Sequence, residues 1–227
     1  MVVLATKCYV EGDARERALD SLDSLIRNDV GELDVTWDIG VRDDDFVSVT
    51  VTGDDATAAR NLLGEEWGEV TPHLTEGETY VGTLDEWDED GFVLDVGFHN
   101  HVRVSTDGLG LGTGSPTQIR DRFGIVQHTP LAFVYDEDGS SLADETRDRL
   151  YGWTREEGRS GRVNVNSATR GEVRATVNRA GHAEDIVTVE RLGLLEQSIV
   201  CPEGTDPPGL LASIGTYLPS ELKCVLT

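Results

Sequence analysis

The chain has 227 residues and is strongly acidic: 43 aspartates and glutamates stand against 19 basic residues, for a formal charge of −24, and only Lys7 and Lys223 are lysine. That length allows two or three small domains. No run approaches the roughly 18 apolar residues of a membrane span. Cys8, Cys201 and Cys224 lie far apart without CxxC spacing, and the opening MVVLATKCYV is too short and wrongly flanked for a secretion signal. On these features no transmembrane helix and no zinc site are expected, and a reduced, cytoplasmic protein is predicted.

Residues 1 to 75 predict β-α-β-β-α. Val2 to Val10 reads as a strand. Asp13 and Glu16 have capping-box spacing ahead of a helix with an apolar stripe at Ala18, Leu22, Leu25 and Ile26. Leu33 to Val41 and Phe46 to Val51 alternate as strands around the turn Asp43-Asp44-Asp45. Asp54 or Asp55 is expected to cap a helix carrying Ala59, Leu62, Leu63 and Trp67. A short strand near Val70 would close a ferredoxin-like module.

Residues 76 to 140 change character. Thr79–Trp87, Gly91–Val96 and His101–Ser105 predict short strands. Ser115-Pro116-Thr117-Gln118 is a strong helix start, with Ser at the cap and Pro in the first turn. A last strand is expected over Leu131–Tyr135. The stretch YVGTLDEWDEDGFVLDVG resembles the opening of an S1-type OB domain. That likeness implies a small β-barrel whose exposed strand faces stack bases, with Trp87, Phe92 and Arg103 as the candidates by position.

Residues 141 to 161 predict a charged helical linker, ending at the loop-like Gly158-Arg159-Ser160-Gly161. Residues 162 to 227 then predict β-α-β-β-α-β, a second ferredoxin-like module. Its elements are Arg162–Val165, a helix capped by Ser167 or Thr169 with Glu172, Ile186–Arg191, Leu195–Cys201, a helix after Asp206-Pro207-Pro208, and Leu222–Leu226. The expected fold class is therefore α+β, with two ferredoxin-like βαββαβ modules flanking an OB/S1-like barrel.

Charge is unevenly spread. From Arg147 to Gly181 eight arginines face four acids. A basic island in so acidic a chain points to a polyanion. On the helix after Asn166, Arg170, Arg174 and Asn178 follow at i, i+4, i+8, beside a helix start that attracts phosphate. The candidate nucleic-acid-binding residues are Arg162, Asn164, Asn166, Arg170, Arg174, Asn178 and Arg179, with Trp87, Phe92 and Arg103 as a second surface. The alternative is that these arginines pair with the protein's own carboxylates.

Other motifs carry less. Gly204 to Gly209 is a tight turn into a helix without the lysine or glycine spacing of a P-loop. His99 and His101 share a strand face but have no third ligand, so no metal and no cofactor is expected. No G-x-S-x-G, H-E-x-x-H or G-x-G-x-x-G occurs, so nothing specific favours an enzyme.

The lysine-poor, carboxylate-rich composition resembles that of salt-adapted haloarchaeal proteins. The whole chain, most clearly from Val163 to Gly215, resembles an archaeal family of unknown function, number 2110. The resemblance implies an archaeal, cytoplasmic protein and transfers no chemistry; members are often encoded beside a transcription factor. Within it, VNVNSATRGEV is similar to the first half of a helix-hairpin-helix, although Arg179-Ala180-Gly181-His182 replaces the expected G-I-G. The expected function is non-catalytic binding of RNA or DNA, or of transcription or translation proteins, without a membrane. A protein–protein adaptor or a small-ligand-binding regulator, with its ligand at Gly204–Gly209 or between modules, is the alternative.

Overall fold

A computed structural model describes residues 1–227. It is a mixed α+β structure with three antiparallel sheets. The first contains β1 (Val2–Lys7), β2 (Val35–Val41) and β3 (Phe46–Gly53) in the order β1-β3-β2. On one face of it lie α1 (Gly12–Val30) and α2 (Ala56–Trp67). The apolar stripe of α1 buries Ala18, Leu22, Ile26 and Val30 against Val47, Val49 and Val51. Near Val70 the expected strand is reduced to a single bridge, Leu4 to Glu69, at the free edge of β1.

Neither acidic cap of this module forms. Helix α1 begins after Glu11 without a side-chain cap. Asp55 precedes α2, but its carboxylate accepts from the Asp34 backbone amide at 2.9 Å, tying the helix start to the residue that leads into β2.

The central sheet is formed by β4 (Thr79–Trp87), β5 (Gly91–Asp95), β6 (His101–Ser105), β7 (Pro130–Val134) and β8 (Ser141–Leu142). Its order is β6-β5-β4-β7-β8, and a parallel bridge from Val104 to Ser140 draws the two ends together into a curled half-barrel. Between β6 and β7 lie the short α3 (Thr106–Leu109) and α4 (Pro116–Arg122). The latter starts with a complete capping box, Ser115 with Gln118, and a proline in the first turn, as its sequence dictates.

The segment expected to be a helical linker belongs to this module instead. Ser141 and Leu142 pair with β7, and α5 (Asp144–Trp153) buries Leu150 and Trp153 in the central core. Its apolar positions were too sparse to announce a buried helix.

The third sheet has the order β10-β11-β9-β12, from β9 (Arg159–Val165), β10 (Thr188–Arg191), β11 (Gln197–Pro202) and β12 (Leu222–Leu226). The glycine-bearing stretch expected as a loop is the start of β9. Gly161 has φ of +138°, and a Cβ there would meet the Val225 carbonyl oxygen at 2.0 Å, so the glycine permits close strand pairing. Helices α6 (Arg170–Arg179) and α7 (Pro207–Ile214) send Val173, Val177, Leu210 and Ile214 into one core with the sheet.

The modules share cores as well as a chain. Leu194 and Leu195, in the β10–β11 turn, pack into the first module's core, and Val225 of β12 packs into the central one. Val3, Ala5, Phe46 and Val70 of the first module meet Val81 and Phe98 of the second.

Candidate nucleic-acid interface and the module junction

Helix α6 displays the most unusual surface of the protein. Thr169 accepts from the Glu172 amide while Glu172 reaches back to the Thr169 amide at 2.9 Å, which starts the helix cleanly. The apolar residues Val173 and Val177 face the sheet, leaving Arg170, Arg174, Asn178 and Arg179 exposed. None of these three guanidiniums has a carboxylate, a hydrogen bond or an aromatic ring as partner. The other fourteen arginines each have at least one of these.

The helix start itself is not an open phosphate seat. Glu172 occupies it, held below its normal pKa by the Thr169 amide and by Arg17, although burial opposes the shift. The Glu172 carboxylate also binds the Arg17 guanidinium at 2.7 Å. The capping box that makes the helix thus supplies the anion that its dipole attracts.

The fold takes the rest of the basic island apart. Arg147 pairs with Asp144, Arg159 lies 3.6 Å from Glu156, Arg149 donates to the Pro130 carbonyl, and Arg155 stacks on Tyr151. Arg162 is buried on β9 and held by Glu156 and Glu190, with Ser198 beside it. Asn164 is wholly buried and donates to the Gly124 carbonyl at 2.8 Å. Asn166 donates to the Gln127 carbonyl, and its Oδ1 accepts from the Glu221 amide at 2.8 Å. Asn164 and Asn166 join the C-terminal module to the central one, Arg162 is held by nearby acids, and none of the three offers an open phosphate contact. Alternation along β9 turned them to the sheet face away from α6, where the central module covers them.

The barrel positions are likewise engaged. Phe92 is fully buried in the central core. The Arg120 guanidinium lies 3.5 Å from the centroid of the Trp87 ring and covers that face. Arg103 makes two hydrogen bonds to Asp88, which depress the Asp88 pKa to about 2. His99 lies 3.4 Å from Asp43 and His101 lies 3.2 Å from Asp85; no group of three metal-ligating side chains is assembled. At the Gly204–Gly209 turn, Asp206 folds over the helix start, its Oδ2 2.4 Å from where a Gly209 Cβ would lie.

Sequence reasoning missed a second constellation, the place where all three modules meet. Lys7 binds Asp95 at 2.6 Å, joining the first and central modules. Tyr9 donates to Glu196 at 2.7 Å and accepts from the Ser167 amide, joining the first and third. His128 lies with its ring 4.1 Å from that of Tyr9. Burial lifts the Glu196 carboxyl to about 8 and lowers His128 to about 4, the latter aided by Lys7. Both are therefore neutral at pH 7. Residues separated by up to 189 positions make this cluster, and no local spacing marks it.

A cleft of about 780 Å³ is lined by residues of all three modules, among them Trp67, Tyr80, Thr146, Arg149 and Arg191. Arg191 stacks on Trp67 at 3.9 Å and binds Glu66. No helix is long and apolar enough to cross a membrane.

Fold and surface together define a three-module α+β protein with an unpaired cationic helix. The chain belongs to the DUF2110 family: residues 1–73 match the DUF2110 N-terminal domain, 74–154 the central domain and 160–226 the C-terminal domain. Comparison with curated proteins finds no match.

Proposed function

We propose that this is a non-catalytic nucleic-acid- or nucleoprotein-binding protein of archaeal information processing, and that α6 is its contact surface. One observation carries the reading. In a chain with more than twice as many acids as bases, Arg170, Arg174 and Arg179 stand exposed on a single helix with nothing of their own to bind. Neutralising them would have needed only one carboxylate a turn away, and carboxylates are the commonest charged groups here.

The finer fold reading supports nucleic-acid binding in general, though not α6 in particular. The order β12-β9-β11-β10 with α6 and α7 packed into one core with the sheet supports reading this part as a ferredoxin-like module. The circuit β4-β5-β6-β8-β7-β4, drawn together by the Val104–Ser140 bridge, supports reading the central sheet as an OB-like barrel. Both scaffolds commonly hold nucleic acid.

The test is fluorescence anisotropy with labelled oligonucleotides at high salt. Replacing Arg170, Arg174 and Arg179 together by serine is expected to weaken binding at least tenfold. Arg103→Ser, at the paired barrel position, is expected to leave binding unchanged. Equal affinity for the triple variant and the parent would refute the assignment to α6.

A further inference from the structure

We infer that α6 enters the major groove of double-stranded DNA, with Asn178 facing the base edges. This rests on the nucleic-acid reading above and names its ligand. The argument is angular. Successive residues of an α-helix turn by about 100°. Arg170 and Arg174 therefore share one flank of the exposed face, and Arg179, nine residues after Arg170, lies about 180° from it. Between the flanks project Asn178, Gly171 and Ala175, all exposed.

That cross-section is small in the middle, with Arg170 and Arg174 on one flank and Arg179 on the other, where the Glu172 carboxylate is already paired with Arg17; it suits a helix between two phosphate strands. A helix with its side chains is about 10–12 Å across, and the major groove of B-form DNA is about 12 Å wide. Arginines on opposite flanks can each meet a different strand and fix the helix in place. The residue at the centre then faces the bases. Asparagine is the side chain that makes paired hydrogen bonds to adenine, and alanine is one that packs on the thymine methyl.

Three further observations narrow the ligand. The major groove of duplex RNA is too deep and narrow for a helix to read. None of the exposed positions of α6 is aromatic, so there is no platform on which single-stranded bases would stack. The opposite face of the same sheet, where an RNA strand would otherwise lie, is closed by Asn164 and Asn166 bonding into the central module.

Gly171 fits the same geometry. It sits in the first turn of a helix, where glycine is less favourable than alanine. Its φ is ordinary, and an added Cβ would meet nothing within 4 Å. The protein's own packing does not demand it, whereas a surface pressed close to another molecule does.

The test uses the full chain at about 1 M salt with matched duplex DNA, duplex RNA and single-stranded DNA, followed by selection from a randomised DNA duplex pool. Duplex DNA is expected to bind at least tenfold tighter than the other two. Asn178→Ala is expected to reduce discrimination at one adenine of the selected site by about five- to a hundredfold, with little change on unselected duplex. Gly171→Leu is expected to weaken DNA binding tenfold or more while leaving the melting temperature unchanged or raised. Equal affinity for duplex RNA or single strands, or unaltered selection by Asn178→Ala, overturns the groove assignment and leaves the phosphate-binding reading standing. Binding to none of the three probes overturns both.

Discussion

Glu196 shows how far a residue's setting can differ from its type. A glutamate buried in the β10–β11 turn, with Tyr9 as its donor, keeps its proton up to about pH 8. The unfolded chain releases that proton near pH 4.5. Between these values the folded state binds more protons than the unfolded one, so stability falls as pH rises from about 4.5 to about 8. Its contribution is fully present below the unfolded pKa and lost above the folded one. Glu196→Gln mimics the protonated form and is expected to flatten this slope. The gain should be on the order of a few kcal/mol at pH 9 and near zero at pH 4, measured by urea unfolding at each pH. An effect of equal size at both values would show that this carboxyl titrates alike in the folded and unfolded chain.

The same scale explains what single residues concealed. Arg162, Asn164 and Asn166 looked like phosphate ligands because arginine and asparagine are good ones. Their position on β9 and at its immediate end decided otherwise, since side chains two apart share a sheet face. Nothing near them in sequence announced that Gly124, Gln127 and Glu221 would meet that face. Phe92 was lost to the core in the same way, by strand alternation inside a curled sheet.

At the scale of elements, the chain was legible wherever the signal was local. Ser115-Pro116-Thr117-Gln118 became a capped helix, and Thr169 with Glu172 became another. Thr169→Ala removes the hydroxyl that accepts from the Glu172 amide and is expected to cost about 1 kcal/mol, read as a lower urea midpoint with an unchanged slope. An unchanged midpoint would mean that packing alone holds α6. Local signals failed where a tertiary partner competed for the same group. Asp13 and Glu16 have the spacing of a cap but do not form one, and Asp55 serves Asp34 instead. Helix α5 was visible as a helix, but its attachment to the central core rested on Leu150 and Trp153 meeting strands far away in sequence.

At the scale of the molecule, charge sets the conditions under which α6 can work. A formal charge of −24 surrounds three free guanidiniums, and at about 0.1 M salt the Debye length of about 10 Å lets distant carboxylates repel a polyanion. At about 1 M it shrinks to about 3 Å, which silences remote charge and leaves contact pairs. Duplex binding is therefore expected to strengthen as salt rises from about 0.1 to about 1 M, opposite to an ordinary basic DNA-binding protein. Titration of anisotropy against salt checks this, and a steady fall from low salt upward would mean that repulsion from the carboxylates is unimportant.

The two leucines of the β10–β11 turn bear on how such a chain can be taken apart or can evolve. Leu194 and Leu195 complete the hydrophobic interior of a module whose own sequence ended more than a hundred residues earlier. The three family segments are consequently not exchangeable cassettes. A chimera that imports a foreign tail must import this pair of plugs with it, or leave an oily socket open to whatever passes.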